Sequence, residues 1–414
     1  MFARKPRVGN MEKYDAIIVG AGPSGSACAC LLSQQGAKVL LLDKASFPRD
    51  KVCGDAIGGK ALNVLARIGA EEELKQKGFQ RSSGLVFSSP NGTEVEIPLA
   101  AGGNERSSGF VCRRQEFDNI VFQRAKKMCT ALEGAEAVDI LFEGKRVIGV
   151  KVKMADGALQ DFFANLVVGA DGAMSIVARK AGVFSSNAAH SCSAVRGYYT
   201  GIEGLHGNIE IHFLPECMPG YFWIFPLSGN EANVGVGMLL SDMLAHRKNL
   251  QKVLEACMKN RRFGSRFAGA RLEGGVGGWS IPLASAHRKC AGNGFILIGD
   301  AASLVDPFSG EGIGNGMKSA AIAADTLAEA SRQGAVSEEK CREYERALWE
   351  EIGNDIKSSY ALQRLGKVPF LLDIAIGKAK KSEKVRAELA GMIANREAKK
   401  KASDPLFALK LLLS

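Results

Sequence analysis

The sequence lacks several features that mark common classes of protein. It has five histidines, all isolated, and its ten cysteines form no Cys-x-x-Cys pair, so we expect no zinc site. No window approaches the roughly 20 consecutive apolar residues that a membrane-spanning helix needs. Residues 1–10 are basic, but no apolar run of signal-peptide type follows them. We therefore expect a cytoplasmic protein whose cysteines are mostly buried, reduced thiols.

Positive charge is in excess but unevenly spread. The net charge is +10, and residues 378–401 hold nine Lys or Arg against three Glu. With the apolar run at 406–413, this segment predicts a peripheral contact with the inner face of the membrane. A solvated helix packed on the protein's own surface explains it equally well. Nothing else in the sequence favours nucleic acid as a partner.

The chain begins with an α/β pattern. An apolar, β-branched run at 14–20 predicts a buried parallel strand, 24–35 a helix and 38–43 a second buried strand, which together make one βαβ unit. Two further apolar runs, 166–171 and 295–300, each end in Gly and Asp. The fold class that we expect is α/β, or α+β overall, built on a Rossmann-type nucleotide-binding domain.

The middle of the chain differs from both ends. Its short runs of β-branched and aromatic residues, separated by turn residues, predict an inserted antiparallel sheet. After about residue 312 the pattern becomes helical. We expect three units, which are a nucleotide-binding domain of residues 11–184 and 286–330, a substrate domain of 185–285 with 56–104 as a further candidate segment, and a helical C-terminal region of 331–414.

A glycine-rich motif joins the first strand to the first helix. Gly20 permits the tight turn, Gly22 lets the backbone approach a pyrophosphate, and Gly25 allows the helix to pack closely on the strand. The free N–H groups of the helix N-terminus, around Ser24, then face the phosphates. A glycine-rich turn in any α/β protein is the alternative for this motif alone.

An acidic residue follows at the end of the second strand. Asp43 lies where a carboxylate accepts hydrogen bonds from an adenosine ribose, and Lys44 is beside it. Strand, glycines, helix, second strand and acid in this order favour a dinucleotide. At this point NAD and FAD are not distinguished.

Two later motifs separate these cofactors. Residues 168–173 read Val-Gly-Ala-Asp-Gly-Ala, and Gly299-Asp300-Ala-Ala precedes Pro307 and the run 310–314, Gly-Glu-Gly-Ile-Gly. Together they resemble the FAD-dependent family that contains aromatic hydroxylases and geranylgeranyl reductases. The resemblance spans about three quarters of the chain. It implies FAD as the cofactor and an FAD-dependent oxidoreductase as the activity.

The resemblance also implies roles for particular residues. Asp300 would hydrogen-bond a ribityl hydroxyl, and Asp171 would lie beside the cofactor. The backbone amides near the start of the next helix would stabilise negative charge on reduced flavin. An arginine of the Arg113-Arg114 pair, for which we name Arg114, would lie near FAD. The full set of expected cofactor contacts is Gly20, Gly22, Ser24, Gly25, Asp43, Lys44, Arg114, Asp171, Gly299, Asp300, Pro307, Gly310, Gly312, Ile313 and Gly314.

An aromatic segment points to the substrate. Residues 219–226 read Pro-Gly-Tyr-Phe-Trp-Ile-Phe-Pro and resemble the Tyr-x-Trp-x-Phe-Pro motif of geranylgeranyl reductases. On a strand, Tyr221, Trp223 and Phe225 would share one face and form an aromatic wall over an apolar pocket. An ordinary sheet core is the alternative on spacing alone. The segment around Cys53, Lys-Val-Cys-Gly-Asp, also resembles this family, and Cys53 is a candidate proton donor, although an inert buried thiol is the more frequent fate of a cysteine.

These motifs predict the reduction of carbon–carbon double bonds in a polyprenyl chain of a lipid or quinone. An external electron donor is expected, and ferredoxin or NAD(P)H would each fit. The sequence does not distinguish them, because it has no second nucleotide motif. Two alternatives stay open at this point. One is an FAD-dependent monooxygenase or halogenase acting on an aromatic or apolar small molecule, and the other is a non-catalytic, flavin-bearing protein at a membrane.

Overall fold

The computed structural model describes residues 13–82, 84–98 and 109–386. Its strands are interspersed with helices through the first half of the chain. In chain order they are β1 (Lys13–Val19), β2 (Val39–Leu42), β3 (Ala56–Ile57), β4 (Gln80–Arg81), β5 (Gly84–Ser88), β6 (Glu94–Pro98), β7 (Phe110–Val111), β8 (Thr130–Leu132), β9 (Glu136–Glu143), β10 (Arg146–Lys153), β11 (Leu159–Gly169), β12 (Ser191–Thr200), β13 (Ile209–His212), β14 (Gly220–Pro226), β15 (Glu231–Leu239), β16 (Arg271–Pro282), β17 (Ala291–Gly292) and β18 (Phe295–Leu297).

The longest helices lie at the C-terminal end of the described chain, as predicted. In chain order the helices are α1 (Pro23–Gln34), α2 (Gly59–Arg67), α3 (Glu71–Gln76), α4 (Arg114–Lys126), α5 (Ile176–Lys180), α6 (Leu240–Ala245), α7 (Leu250–Met258), α8 (Ile313–Gln333), α9 (Glu338–Gly366) and α10 (Pro369–Lys381). Among the described residues, no helix is both long enough and apolar enough to cross a bilayer.

The first sheet carries the predicted βαβ unit. It has eight strands, and its central path is β17-β18-β11-β1-β2-β8, in which β18, β11, β1, β2 and β8 run parallel to one another and β17 is antiparallel to β18. Strands β9 and β10 extend β11 as an antiparallel meander that the sequence had not indicated. Helices α1 and α8 pack against each other and against the sheet. The predicted strands at the start of the chain, at 166–171 and at 295–300 are confirmed as β1, β2, β11 and β18.

The second sheet lies in the middle of the chain. Its seven strands are ordered β16-β12-β15-β14-β13-β5-β6. All neighbouring pairs are antiparallel except β13 and β5, which run parallel. Strands β5 and β6 come from the segment 56–104, which we had named as a candidate contributor. The division of the chain at the predicted domain boundaries stays a prediction.

The two faces of this second sheet have different surroundings. One face packs its apolar side chains, among them Phe222 and Ile224, against α7 and the turns that follow it. The other face carries Tyr221 and Phe225 and is covered in part by α10, through Leu372 and Ile376. Since side chains alternate along a strand, β14 contributes to both layers.

Candidate active site

Three glycine–acid turns meet at one edge of the first sheet. Strands β1, β11 and β18 are parallel neighbours, so their carboxyl ends lie side by side. The turns that follow them contain Gly20, Asp171 and Gly299. A Cβ on Gly20 would lie 2.9 Å from the Cα of Asp171, and one on Gly299 would lie 2.7 Å from the Oγ of Ser24. Motifs that are far apart in the sequence therefore form one cradle.

The three glycines of the first turn differ in what surrounds them. Gly20 has a φ of +100°, in the region that favours glycine. A Cβ on Gly25 would meet the carbonyl oxygen of Gly20 at 1.8 Å, so the helix can approach the strand only with glycine there. Gly22 is open, with the nearest atom to its Cβ position, an Nη2 of Arg49, at 3.6 Å. This open space lies at the N-terminus of α1, which has no side-chain cap.

Asp43 supports the same turn from the end of β2. Its Oδ2 accepts a hydrogen bond from the backbone N–H of Ala21 at 2.8 Å, and its Oδ1 accepts one from Ala45 at 2.9 Å. The carboxylate is buried, whereas the neighbouring Lys44 is exposed. Contacts of either residue with an adenosine stay predictions.

Asp171 has the helix-capping geometry of a strand-to-turn aspartate. Its Oδ2 accepts hydrogen bonds from the N–H groups of Ile176 at 2.6 Å and Val177 at 3.3 Å. Its Oδ1 is buried and has no partner among the described residues. Burial raises the pKa of Asp171, and hydrogen bonds from Ser175 and the helix N–H groups oppose this rise. A role beside the cofactor stays a prediction.

Asp300 lies in the third turn, next to the start of α8. A Cβ on Gly312 would lie 3.4 Å from the Oδ1 of Asp300, and the Nζ of Lys51 lies 3.7 Å from its Oδ2. Helix α8 begins at Ile313 with Gly312 as its N-cap residue and no side-chain cap. Its first N–H groups, including that of Gly314, are therefore available to an acceptor. Gly310, with a φ of +74°, turns the chain just before them.

Pro307 belongs to the outer side of this third turn. Its carbonyl oxygen accepts a hydrogen bond from the Nε2 of Gln363 in α9 at 2.6 Å. The end of α9 also approaches the turn, because a Cβ on Gly366 would lie 3.6 Å from the ring of Phe308. The helical C-terminal region thus supports the loop between Asp300 and Gly310.

The paired arginines point in different directions. Arg114 is buried and donates two hydrogen bonds to Asp118, while Arg113 pairs with Glu231 and Glu273 of the second sheet. Burial would lower the pKa of Arg114, but the carboxylate of Asp118 and the thiol of Cys53 raise it well above its usual value. Arg114 therefore lies beside the candidate proton donor, and its contact with FAD stays a prediction.

The aromatic wall, Tyr221, Trp223 and Phe225, occupies one face of β14. Neighbouring rings along it have centroids 6.0 Å apart, which confirms that the three side chains share a face. Tyr221 donates a hydrogen bond from its hydroxyl to the carbonyl of Ser309 at 3.1 Å, so the wall contacts the third glycine turn. The ring of Phe225 approaches the Cys53 loop, since a Cβ on Gly54 would lie 2.9 Å from it.

Further apolar side chains extend this wall along the same face of the sheet. Half-buried side chains connect two hydrophobic clusters on the same face of the sheet, and Phe87 and Ile211 belong to both. The half-buried members of the two clusters, which we propose as the lining of an apolar groove, are Phe87, Ile211, Met218, Tyr221, Phe225 and Phe308. Such a surface suits an apolar ligand, with few polar groups to fix its orientation.

Sequence reasoning missed a buried polar cluster behind the wall. Asn233 accepts a hydrogen bond from the indole N–H of Trp223 at 2.9 Å and donates to Asp55 at 2.8 Å. Tyr198 also donates to Asp55, at 2.7 Å. One signal was available, because a lone Asn within the apolar run 232–239 has to find partners when the strand is buried.

Comparison with known proteins identifies the family. Residues 13–222 match the FAD binding domain family, and residues 191–275 match the geranylgeranyl reductase catalytic domain. A menaquinone reductase of Mycobacterium tuberculosis is 34% identical over 76% of this chain and 77% of its own length. Digeranylgeranylglycerophospholipid reductase 1 of Methanococcoides burtonii is 30% identical over 84% of this chain and 82% of its own. The chain belongs to the geranylgeranyl reductase family.

Solved structures show the same fold. A geranylgeranyl bacteriochlorophyll reductase-like protein of Thermoplasma acidophilum superposes with a TM-score of 0.83, at 22% identity, over 97% of this chain and 99% of its own. A flavin-dependent brominase gives a TM-score of 0.79 at 21% identity, over 97% and 98% of the two chains. At such identities the likeness shows the fold alone. The predicted fold class is confirmed, and this chain is an FAD-dependent oxidoreductase, as expected.

The residues present fit FAD. The cradle contains two helices, α1 and α8, that begin without side-chain caps, and an open space at Gly22 that a Cβ would enter. Uncapped helix N-termini bind anionic groups, which FAD supplies through its pyrophosphate and its reduced ring. FAD as the cofactor is confirmed. All ten cysteines lie among the described residues and form no disulfide, and seven of them are buried.

Proposed function

We propose that this protein uses reduced FAD to saturate carbon–carbon double bonds of a polyprenyl chain that lies in the apolar groove. The predicted reaction class is confirmed by the family to which the chain belongs. The observation that supports the site is the contact between wall and cradle, in which Tyr221 donates to Ser309. It places an apolar surface next to the turn that is predicted to hold the flavin ring.

The reaction adds a hydride to one alkene carbon and a proton to the other, and FAD, when bound and reduced, supplies the hydride. The protein has to exclude water, align the chain and deliver the proton. The apolar groove would exclude water and align the chain, because an isoprenoid chain has no polar groups and packs against apolar side chains. Cys53 is the proposed proton donor. Arg114, beside it, would balance the negative charge left on sulfur before water returns the proton.

The described surface also carries a candidate contact with a membrane. The predicted anchor at 406–413 and most of the basic segment 378–401 lie outside the described residues. However, three apolar side chains on two segments are exposed, namely Leu244 on one and Val368 and Phe370 on the other. An ion pair of 2.8 Å between Lys367 and Asp242 joins the two segments, and we call this surface the apolar tip. Helix α10, which begins here, also contacts the groove. We therefore propose this apolar tip as the place where a prenyl lipid passes from the bilayer.

Anaerobic incubation with prenyl lipids tests the proposed function. Chemically reduced, FAD-loaded protein is mixed with a geranylgeranylated phospholipid, a geranylgeranylated chlorophyll precursor and a menaquinone, and each product is weighed by mass spectrometry. A gain of two hydrogens per reduced bond, absent with oxidised protein, is expected for at least one lipid. The lipid that reacts identifies the substrate.

The outcome that contradicts the proposal is equally specific. No gain on any prenyl lipid, together with oxygen-dependent hydroxylation or halogenation of an aromatic compound, would indicate the monooxygenase or halogenase alternative. Flavin binding without turnover under any condition would indicate a binding protein. Replacing chemical reductant by reduced ferredoxin, NADH or NADPH in the active mixture then identifies the electron donor.

A further inference from the structure

Asn233 connects the aromatic wall to the Cys53 loop through one buried amide. Its Oδ1 accepts the indole N–H of Trp223 at 2.9 Å, and its Nδ2 donates to the carbonyl of Cys53 at 2.7 Å and to the Oδ2 of Asp55 at 2.8 Å. A primary amide has two N–H donors, so both are used. Asn233 is fully buried. Its orientation is therefore fixed by three partners on two other segments, which are β14 and the Cys53 loop.

Asp55 fixes the other end of the same loop. It is buried, has a φ of +67° and accepts hydrogen bonds from both Asn233 and Tyr198 on its Oδ2. Its backbone carbonyl accepts the N–H of Cys112 at 3.0 Å. A left-handed conformation is uncommon for a residue other than glycine and persists when its surroundings hold it. The loop from Cys53 to Asp55 is thus tied to β15, β12 and the segment before α4.

The amide is not needed to fill space. A leucine at position 233 would occupy a similar volume without the desolvation that a buried polar group requires. Glycine at position 235 already makes room for the indole, because a Cβ there would lie 2.3 Å from the ring of Trp223. What the amide adds is a set distance between the wall and the backbone of Cys53.

We propose that Asn233 is a positioning residue, which holds the Cys53 loop and Trp223 in a fixed relation and so selects which double bonds of the prenyl chain are reduced. The selection rests on the proposed function. An alkene reacts only when its two carbons meet the hydride source and the proton source together, and a misplacement of about 1 Å lowers the rate roughly 100-fold. A loop that moves relative to the wall changes which bond meets this condition.

Three variants of the FAD-loaded protein test the proposal. Asn233→Leu removes all three hydrogen bonds. Asn233→Asp keeps an acceptor for Trp223 but loses the N–H donors to Cys53 and Asp55. Asn165→Leu is the matched control, because Asn165 is a buried strand amide on β11 that donates to Ser331 at 2.7 Å, away from the wall.

The first measurement is the alkylation rate of individual cysteines, read by peptide mass spectrometry. Loss of the loop's hydrogen bonds should accelerate alkylation of Cys53 by roughly tenfold in Asn233→Leu and Asn233→Asp. The rate in Asn165→Leu should equal that of the unchanged protein. Cys257 and Cys290 are fully buried and provide internal controls. An unchanged Cys53 rate, or equal acceleration at all three cysteines, would overturn the proposal.

The second measurement is the distribution of products from the lipid that the unchanged protein reduces. Asn233→Leu should give a broader mixture of partly reduced chains, and Asn165→Leu the original pattern. Identical mixtures from all variants would refute the selection of bonds. If the unchanged protein reduces no prenyl lipid, the proposed function fails, whereas the cysteine rates still decide whether Asn233 holds the loop.

Discussion

The guanidinium of Arg114 holds the carboxylate of Asp118 through two hydrogen bonds, from Nε to Oδ1 at 2.6 Å and from Nη2 to Oδ2 at 2.7 Å. Arg49 donates a third, at 3.0 Å, to the same carboxylate. Arg49 also lies near the open space at Gly22, and Arg114 lies near Cys53. One buried acid therefore links the expected phosphate site to the candidate proton donor.

Replacing this acid should destabilise the protein strongly. Asp118→Asn leaves the buried guanidinium of Arg114 without its counter-charge, so the free energy of unfolding in urea should fall by about 3–5 kcal/mol. Asp325→Asn is the control, because the ion pair of Asp325 with Arg67 is about half exposed and should contribute less than about 1 kcal/mol. Equal losses in the two variants would contradict the expectation.

Alanine should weaken FAD binding at Gly22 and lower the stability of the protein at Gly25. Gly22→Ala meets no atom closer than 3.6 Å, so the free energy of unfolding of the FAD-free protein should change little. Its affinity for FAD, measured by flavin fluorescence, should fall about 10- to 100-fold because the methyl group keeps the backbone from the phosphates. Gly25→Ala should lose about 3 kcal/mol of stability, because its Cβ lies 1.8 Å from a carbonyl oxygen. A Gly22→Ala protein that binds FAD normally would refute the expected phosphate position.

Asp300→Ala should weaken FAD binding without unfolding the protein. The carboxylate lies at the start of α8, and the predicted hydrogen bond to a ribityl hydroxyl has a charged acceptor. Loss of such a bond should lower the affinity for FAD about 10- to 100-fold, measured by titration of flavin fluorescence. Asp139→Ala, on the half-exposed side of β9, is the control. Normal FAD affinity in Asp300→Ala would remove this residue from the cofactor site.

Glu210 should make stability depend on acid pH. Burial alone would raise the pKa of Glu210, but two hydrogen bonds from Arg266 and one from His212 lower it from 4.5 to about 2. Burial lowers the pKa of His212 and so favours its neutral form. Arg266 is therefore the charged partner that keeps Glu210 ionised. The stabilisation is complete above pH 4.5 and is lost as the pH falls towards 2. It should be about 3 kcal/mol at neutral pH.

Comparing the unchanged protein with Glu210→Gln measures this contribution. Urea unfolding at several pH values should give a difference that is constant near neutrality and shrinks below about pH 4.5. The other charged groups near Glu210, which are His206, Arg262 and Glu94, are present in both proteins. A difference that does not change with pH would show that Glu210 has the same pKa in the native and the unfolded protein, which would contradict the lowered pKa.

The sequence predicted the cradle because its signals are local. Each glycine–acid turn directly follows a buried strand, and parallel strands bring their carboxyl ends to one edge. The links between sheets were not predictable in this way. Asn233 and Cys53 are 180 positions apart, and no local pattern pairs them. Likewise, the parallel pairing of β5 with β13 depends on long-range packing rather than on either strand's own residues.

The position of β18 has a consequence for biosynthesis. Strand β1 begins at Lys13, but β18, which pairs with β11 through Val167, Val168 and Gly169, begins only at Phe295. Until the ribosome has released that segment, the nascent chain exposes an apolar, unpaired strand edge, and such edges promote aggregation. Overproduction in a heterologous host should therefore give more intact material when chaperones are supplied.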